Sequence, residues 1–263
     1  MGERKTYHRG RRKKKKGGII STLILIIAIA VFCVSGYQLY KIFGGYHQGK
    51  SEYGKVREVA VHGDDKDEDE FVVDFDELKK INADTVGWIR FYPEPSQISY
   101  PLVQTTDNDL YLNRTFSANE NTVGAIFVNC DNASDFSDRN TIIYGHRMRD
   151  HSMFHDLEKY KDESFWKENP YFYIYTPDGR KLTCHIYSAG IVKDTSSTYL
   201  TQFASDEEYQ AFLDDTKRAG AYHTGVEVTT DQRVVTLSTC TAASDDNRMV
   251  VRGVIESEDV VKK

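Results

Sequence analysis

Residues 234–255 read VVTLSTCTAASDDNRMVVRGVI. A β-branched, apolar run ends on Cys240, a polar bridge from Thr241 to Asn247 follows, and a second such run opens on Arg248. A bridge of that length can turn the chain back, so the two runs are expected to pair as antiparallel strands. Cys240 and Arg248 then face each other at one rim of a sheet. A strand end is a rigid place from which to present a nucleophilic thiol, and a permanently charged guanidinium can stabilise a developing oxyanion. Each residue also has a structural reading: a packed thiol, and a cation that offsets Asp245 and Asp246.

Working outward, the chain carries further short runs rich in Val, Ile, Tyr and Phe: VGWIRFY, ISYPLVQ, AIFVN, NTIIYGH, YFYIYTP, KLTCHIYSAGIV and VEVTT. Asn, Asp, Gly and Pro separate them. Many short strands with turn signals predict an all-β barrel or sandwich rather than alternating βαβ units. Asp178-Gly179-Arg180 between two of them predicts a hairpin turn. Three helices are expected among the strands. Asp74–Ile81 has acids early and lysines late, Met153–Trp166 is a second candidate, and Ser205–Ala219 has a capping-box pattern at Ser205 and Glu208. In the last of these Tyr209, Phe212, Leu213 and Thr216 share a face and Gly220 is the stop.

A thiol needs a partner to become thiolate at neutral pH, and histidine is the usual one. His146 ends the run NTIIYGH, with Gly145 before it to permit close backbone approach. His151 and His155 are four apart, but no HExxH or CxxC pattern supports a metal, and they read as surface histidines. Neither a Walker loop nor a GxGxxG stretch occurs, so no cofactor is expected. Of the four cysteines, Cys33 lies in the apolar N-terminal run, leaving Cys130, Cys184 and Cys240. Three thiols give no complete disulfide framework.

The N-terminus sets the compartment. Residues 1–18 hold nine Lys/Arg and one Glu, net +8, so the −6 of the 263-residue chain leaves −14 beyond them. An acidic remainder argues against a nucleic-acid partner. Ile19–Gly36 is free of charge and, extended to Tyr40, is long enough to span a hydrocarbon core. Ala28-Ile29-Ala30 resembles a cleavage site, but the apolar run exceeds the ~7–15 residues of a signal-peptide core. Phe32 before Cys33 argues against lipoprotein processing. The basic block before the span places the N-terminus in the cytoplasm and the rest outside. The expected organisation is a basic tail over 1–18, a transmembrane signal-anchor over 19–40, an acidic solvated linker over 41–70, a catalytic domain over 71–258 and a tail over 259–263.

Together, TLSTC at Thr236–Cys240, Arg248 eight residues on and NTIIYGH upstream resemble the sortases, membrane-anchored cysteine transpeptidases of Gram-positive bacteria. The class B branch is the most similar, through DTVGWI, TDNDLYLN, GAIFVN, NTIIYGHRMRDHSMFHDLEKY, YFYIYTPDG and RMVV. A helix between two late strands also fits it. The resemblance implies a mainly β fold, a closed eight-stranded barrel with an N-terminal helix and an additional helix between late strands. It implies that Cys240 attacks the Thr carbonyl of a C-terminal sorting signal, of the LPxTG or NPxTx kind, on a secreted protein. His146 would serve as acid and then base, and Arg248 would hold the carbonyl oxygen. A peptidoglycan cross-bridge amine would resolve the thioester.

Asn108, Leu112, Tyr144, Tyr199, Leu200 and Ser238 match the class B substrate groove. Each also has a plain reading as core, turn or packed strand. Tyr92–Gln97 (YPEPSQ) departs from the family pattern and is expected to be a surface loop, while Cys130 and Cys184 read as bystanders. The lid motif of pilus-building class C sortases is missing. Two rival readings are a surface cysteine peptidase that hydrolyses the same bond, and a tethered binding module in which Cys240 is structural.

Overall fold

The computed structural model describes residue 2 and residues 17–63, 70–242, 244 and 246–261. The chain divides into two compact units, residues 1–44 and residues 45–263. Most of the basic tail, the acidic cluster at 64–69 and Asp245 lie outside the described residues.

Helix α1 runs from Gly17 to Ala60 and contributes to both units. Its apolar part is long enough to cross a membrane, with mean hydropathy 2.4 and none of that stretch buried. From Gly45 onward the helix contradicts the expected solvated linker. Tyr46, Gly49, Tyr53, Val56 and Ala60 recur at alternating intervals of three and four, the spacing of one helical face. Gly49, Val56 and Ala60 are buried, and Tyr46 and Tyr53 pack against the core. The glycines and charges between them hid this stripe in the sequence. A two-stranded sheet follows, β1 (Val61–His62) with β2 (Val72–Val73). Helix α2 (Phe75–Ile81) comes next, capped by the Asp74 carboxylate on the Glu77 N–H.

Eight strands close the barrel: β3 (Thr85–Phe91), β4 (Ser99–Val103), β5 (Ile126–Val128), β6 (Asn140–Tyr144), β7 (Tyr171–Tyr175), β8 (Arg180–Lys193), β9 (Val234–Cys240) and β10 (Asn247–Val260). Around the barrel they run β10-β8-β7-β3-β4-β5-β6-β9, and β9 returns to β10. The pairs β4–β5 and β6–β9 are parallel and the others antiparallel. The β7–β8 hairpin turns at Gly179, whose φ of 89° suits a residue without a side chain. Tyr92–Gln97 is a loop between β3 and β4, largely exposed as expected.

Three further sequence expectations change. Met153–Trp166 is not one helix: a 3-10 helix spans His155–Lys161 and α3 spans Glu163–Glu168. Asp162, extended at φ −98°, ψ 120°, ends the first and caps the second through the Ser164 N–H. VEVTT at 226–230 forms no strand; Val228 is buried beneath helix α4 (Asp206–Arg218) together with Tyr209, Phe212 and Leu213. Its apolar residues serve packing without a ladder. At the C-terminus β10 continues to Val260, where Asp259 and Val260 pair with Lys181 and Arg180, so the expected tail begins inside a strand.

In α4 the predicted face is the buried one, and Ser205 accepts from the Glu208 N–H. The Glu208 carboxylate reaches back to the Ala204 N–H, one residue before the cap.

Candidate active site

Strand parity builds the site. Val235 and Leu237 of β9 enter the barrel core, so Thr236, Ser238 and Cys240 share the opposite face. The register of β9 on β10 pairs Cys240 with Arg248, Ser238 with Val250, Thr236 with Arg252 and Val234 with Val254. The expected antiparallel pairing is present, and Cys240 and Arg248 are direct cross-strand partners.

A polar ladder covers this face below the rim. Thr236 Oγ1 donates to Asn140 Oδ1 at 2.8 Å, and Asn140 Nδ2 donates to the carbonyls of Leu200 at 2.8 Å and Thr198 at 3.2 Å. Arg252 is fully buried and donates to Thr198 Oγ1 at 2.6 Å and Ser188 Oγ at 3.0 Å. Burial lowers its pKa, opposed by Tyr187 and Tyr199. These bonds fix residues 198–200 over the strands. Tyr199 then reaches Ser238, with 2.9 Å between the two hydroxyls, and stacks on Tyr144 at 6.2 Å between centroids. Burial pushes the Tyr144 phenol up to about 12, with Tyr199 adding to the shift.

Above the ladder a cleft of about 240 Å³ opens, lined by Asn108, Leu112, Phe127, Tyr144, Gly145, His146, Ser238, Thr239, Cys240 and Arg248. Cys240 is exposed at its edge. The structure therefore brings together all three residues expected to carry the chemistry and four of the six expected substrate contacts. Tyr199 stands behind Ser238, outside the lining, and Leu200 lies apart with 43 % of its surface exposed. Asn108 is also a fastener: its Oδ1 accepts the Cys130 N–H at 2.9 Å and its Nδ2 meets Asn129 Oδ1 at 3.1 Å.

His146 is held from three sides. Its Nε2 lies 2.6 Å from the Leu112 carbonyl oxygen, which can only accept, so Nε2 carries a proton. Its own carbonyl accepts the Phe154 N–H at 2.9 Å. Gly124 backs the ring, and the Tyr53 hydroxyl of α1 donates to the Gly124 carbonyl at 2.7 Å. The same hydroxyl accepts the Phe116 N–H at 3.2 Å.

Arg248 Nη2 lies 3.6 Å from Asp194 Oδ2. The Asp194 N–H in turn donates to the Asp246 carbonyl, so the backbone of the 241–247 bridge holds the carboxylate that faces the guanidinium. Asp194 arrives from the end of β8, distant in sequence, so proximity along the chain could not find it; of the two acids that proximity offers, Asp245 lies outside the described residues. Cys184 is fully buried, and burial raises its thiol far above the ordinary range. Burial, aided by Asp131, also raises Cys130. Neither is set up to be a thiolate.

A sequence description of the sortase domain matches residues 94–256, more than half of the chain. The chain belongs to the sortase family. Its relatives place it in the class B branch. It is 31 % identical over 231 residues to sortase B of Staphylococcus aureus, covering 88 % of this chain and 93 % of that protein. It is 32 % identical over 240 residues to sortase B of Listeria monocytogenes, covering 87 % and 93 %. Among solved structures, a Staphylococcus aureus sortase B–substrate complex superposes with TM-score 0.65 at 35 % identity, covering 72 % of this chain and 85 % of that one. Sortase B from Bacillus anthracis superposes with TM-score 0.68 at 32 % identity, covering 84 % and 100 %. This sortase is accordingly a cysteine transpeptidase built on the closed eight-stranded barrel that its motifs implied.

Proposed function

We propose that this sortase is anchored in a membrane by the apolar part of α1 and acts outside the cell on C-terminal sorting signals. The basic residues before that helix support an N-terminus left in the cytoplasm. The observation that carries the chemistry is the pairing of Cys240 with Arg248 across β9 and β10, with His146 lining the same cleft.

Cys240 Sγ adds to the Thr carbonyl carbon of a signal of the LPxTG or NPxTx kind. The Arg248 guanidinium stabilises the oxygen as it becomes negative, and Asp194 restrains the guanidinium. As the C–N bond breaks, the leaving amide nitrogen takes a proton from imidazolium. Because Nε2–H is given to Leu112, Nδ1 is the nitrogen that exchanges this proton. An incoming amine then attacks the thioester, Nδ1 accepts its proton, and the Cys240 thiolate leaves. One peptide bond is broken and one formed, with no net oxidation. Sortase B has been solved in complex with triglycine, which supports a peptidoglycan cross-bridge amine as the acceptor here. Asn108, Leu112, Tyr144 and Ser238 contact the signal directly, and Tyr199 holds Ser238 in place for it.

The test is a panel of fluorescence-quenched peptides bearing different sorting signals, with and without triglycine, read by mass spectrometry. Wild type is expected to cleave one class of signal and to join it to the amine faster than to water. Cys240→Ala abolishes cleavage, and His146→Ala and Arg248→Ala each lower kcat by about 100-fold or more. Retention of cleavage by Cys240→Ala, or equal hydrolysis with and without the amine, refutes the transpeptidase mechanism at this cleft.

A further inference from the structure

His151, His155 and Asp156 lie just beyond His146 in the chain, and the transfer chemistry uses none of them. No metal motif marks this stretch of sequence, yet the fold gathers the three: each offers one ligand atom, and these atoms lie within 4.8 Å of one another. The two imidazole rings are 4.0 Å apart between centroids. Asp156 is the unusual member, since only 3 % of its side chain is exposed and buried acids need partners.

Lys159 Nζ takes Asp156 Oδ2 at 2.9 Å. The other oxygen, Oδ1, faces His151 Nδ1 at 3.3 Å. That distance is long for a charge-assisted hydrogen bond. It is instead close to the edge of a tetrahedron whose metal–ligand bonds are about 2.0–2.1 Å. His155 supplies the matching detail. Its Nδ1 bonds the Met148 carbonyl, which can only accept, so Nδ1 carries the proton and Nε2 keeps its lone pair. A ligand histidine ordinarily gives its second nitrogen to such an oxygen, which fixes tautomer and ring plane.

We propose that His151 Nδ1, His155 Nε2 and Asp156 Oδ1 form a binding site for a divalent transition ion, with zinc the ion their donor set favours. Two imidazoles and one carboxylate suit zinc, whereas magnesium and calcium prefer oxygen ligands throughout. Water completes the tetrahedron on the open side, where His151 is 62 % exposed. The ligand atoms, within 4.8 Å of one another, draw together by small side-chain rotations when the ion binds. The site also has a place in the architecture. Its ligands flank Phe154, whose N–H donates to the His146 carbonyl and whose ring lies against Gly145. A bound ion therefore clamps the turn that carries the cleft histidine. Nothing in this site depends on which peptide or amine the cleft accepts.

The experiment uses the full chain in detergent with Cys240→Ala, so that the cleft thiol does not compete for the ion. Cobalt(II) is titrated as a spectroscopic probe and then displaced with zinc. The expected result is one bound cobalt per chain with d–d absorption, no thiolate-to-cobalt charge-transfer band, displacement by zinc and indifference to magnesium. His151→Ala and His155→Ala each weaken binding by roughly tenfold or more. His151 is a surface residue, and circular dichroism of its variant confirms that the fold is kept. The site is refuted if the parent binds no cobalt at micromolar concentration, if a thiolate band dominates, or if both histidine variants bind as the parent does.

Discussion

A β-carbon at position 124 would lie 2.7 Å from Cδ2 of His146 and 2.9 Å from the carbonyl oxygens of Tyr111 and Leu112, on a backbone with φ 66°. Glycine is required there twice over, by the left-handed conformation and by the imidazole that leans on it. Gly124→Ala therefore forces the ring or the Leu112 carbonyl to move. A shift of about 1 Å in a catalytic group costs on the order of 100-fold in rate. The expected outcome is a kcat lower by about that factor, with thermal stability reduced and peptide binding by the Cys240→Ala form changed little. Steady-state kinetics beside a binding titration separate these effects; an unchanged kcat would mean that Gly124 does not position His146. At this scale the sequence was informative where partners are near neighbours through a strand ladder. Cys240 and Arg248 could be paired by counting across one bridge. Gly124 and Asp194 could not be attached to them, because the contacts depend on three-dimensional closure of the barrel, and Leu112 was placed in the groove by resemblance alone, without its carbonyl contact to His146.

The Gly45–Ala60 part of α1 illustrates the same limit for an element. It is tied to the body by Tyr53 and by Glu52, whose carboxylate accepts from the Ser117 N–H at 3.1 Å and from Asn119 Nδ2 at 3.0 Å. Partial burial pushes the Glu52 pKa up, but bonds from Thr115, Asn119 and Ser117 outweigh it and leave the carboxyl below its ordinary 4.5. Its folded-state pKa is thus depressed relative to the unfolded chain. The stabilisation is fully present above 4.5 and is lost as pH falls through the lower folded value. Wild type is expected to be more stable than Glu52→Gln near neutral pH, and the gap should close as pH falls below 4.5 and Glu52 takes up its proton. Thermal unfolding of both proteins across that range reads the effect, and a constant gap would show that Glu52 does not couple docking to pH. By contrast α4 was fully legible. Its cap, its apolar face and its stop are local signals, and helix 45–60 has no cap of its own because it continues a longer helix.

For the molecule as a whole, strand content and the pairing of the last two strands were readable from alternation and turn residues, and the resemblance to a known family supplied barrel closure. Domain limits were read less well, because composition registers charge and glycine while packing registers a stripe. The 45–60 stripe is the decisive case. The compact body includes Gly45–Ala60, so a soluble chain that starts at Gly45 and one that starts at Phe71 should behave differently. The shorter chain loses the burial of Val56 and Ala60 and opens the apolar cluster they share with Phe71, Trp88 and Phe116. It also loses the Tyr53 hydroxyl that holds Gly124 and Phe116. A buried aliphatic or aromatic side chain contributes about 1.5–3 kcal/mol, so the sum is several kcal/mol. For a domain of this size about 1 kcal/mol corresponds to roughly 2–4 °C, which predicts a Tm lower by about 10 °C or more for the chain that starts at Phe71. Because the lost contacts end on the segment that backs His146, transpeptidation should fall further than the folded fraction accounts for. Calorimetry and kinetics on the two chains at a temperature where both are folded test this. Equal rates would detach the helix from the site, and equal melting temperatures would return residues 45–60 to the role of a passive stalk.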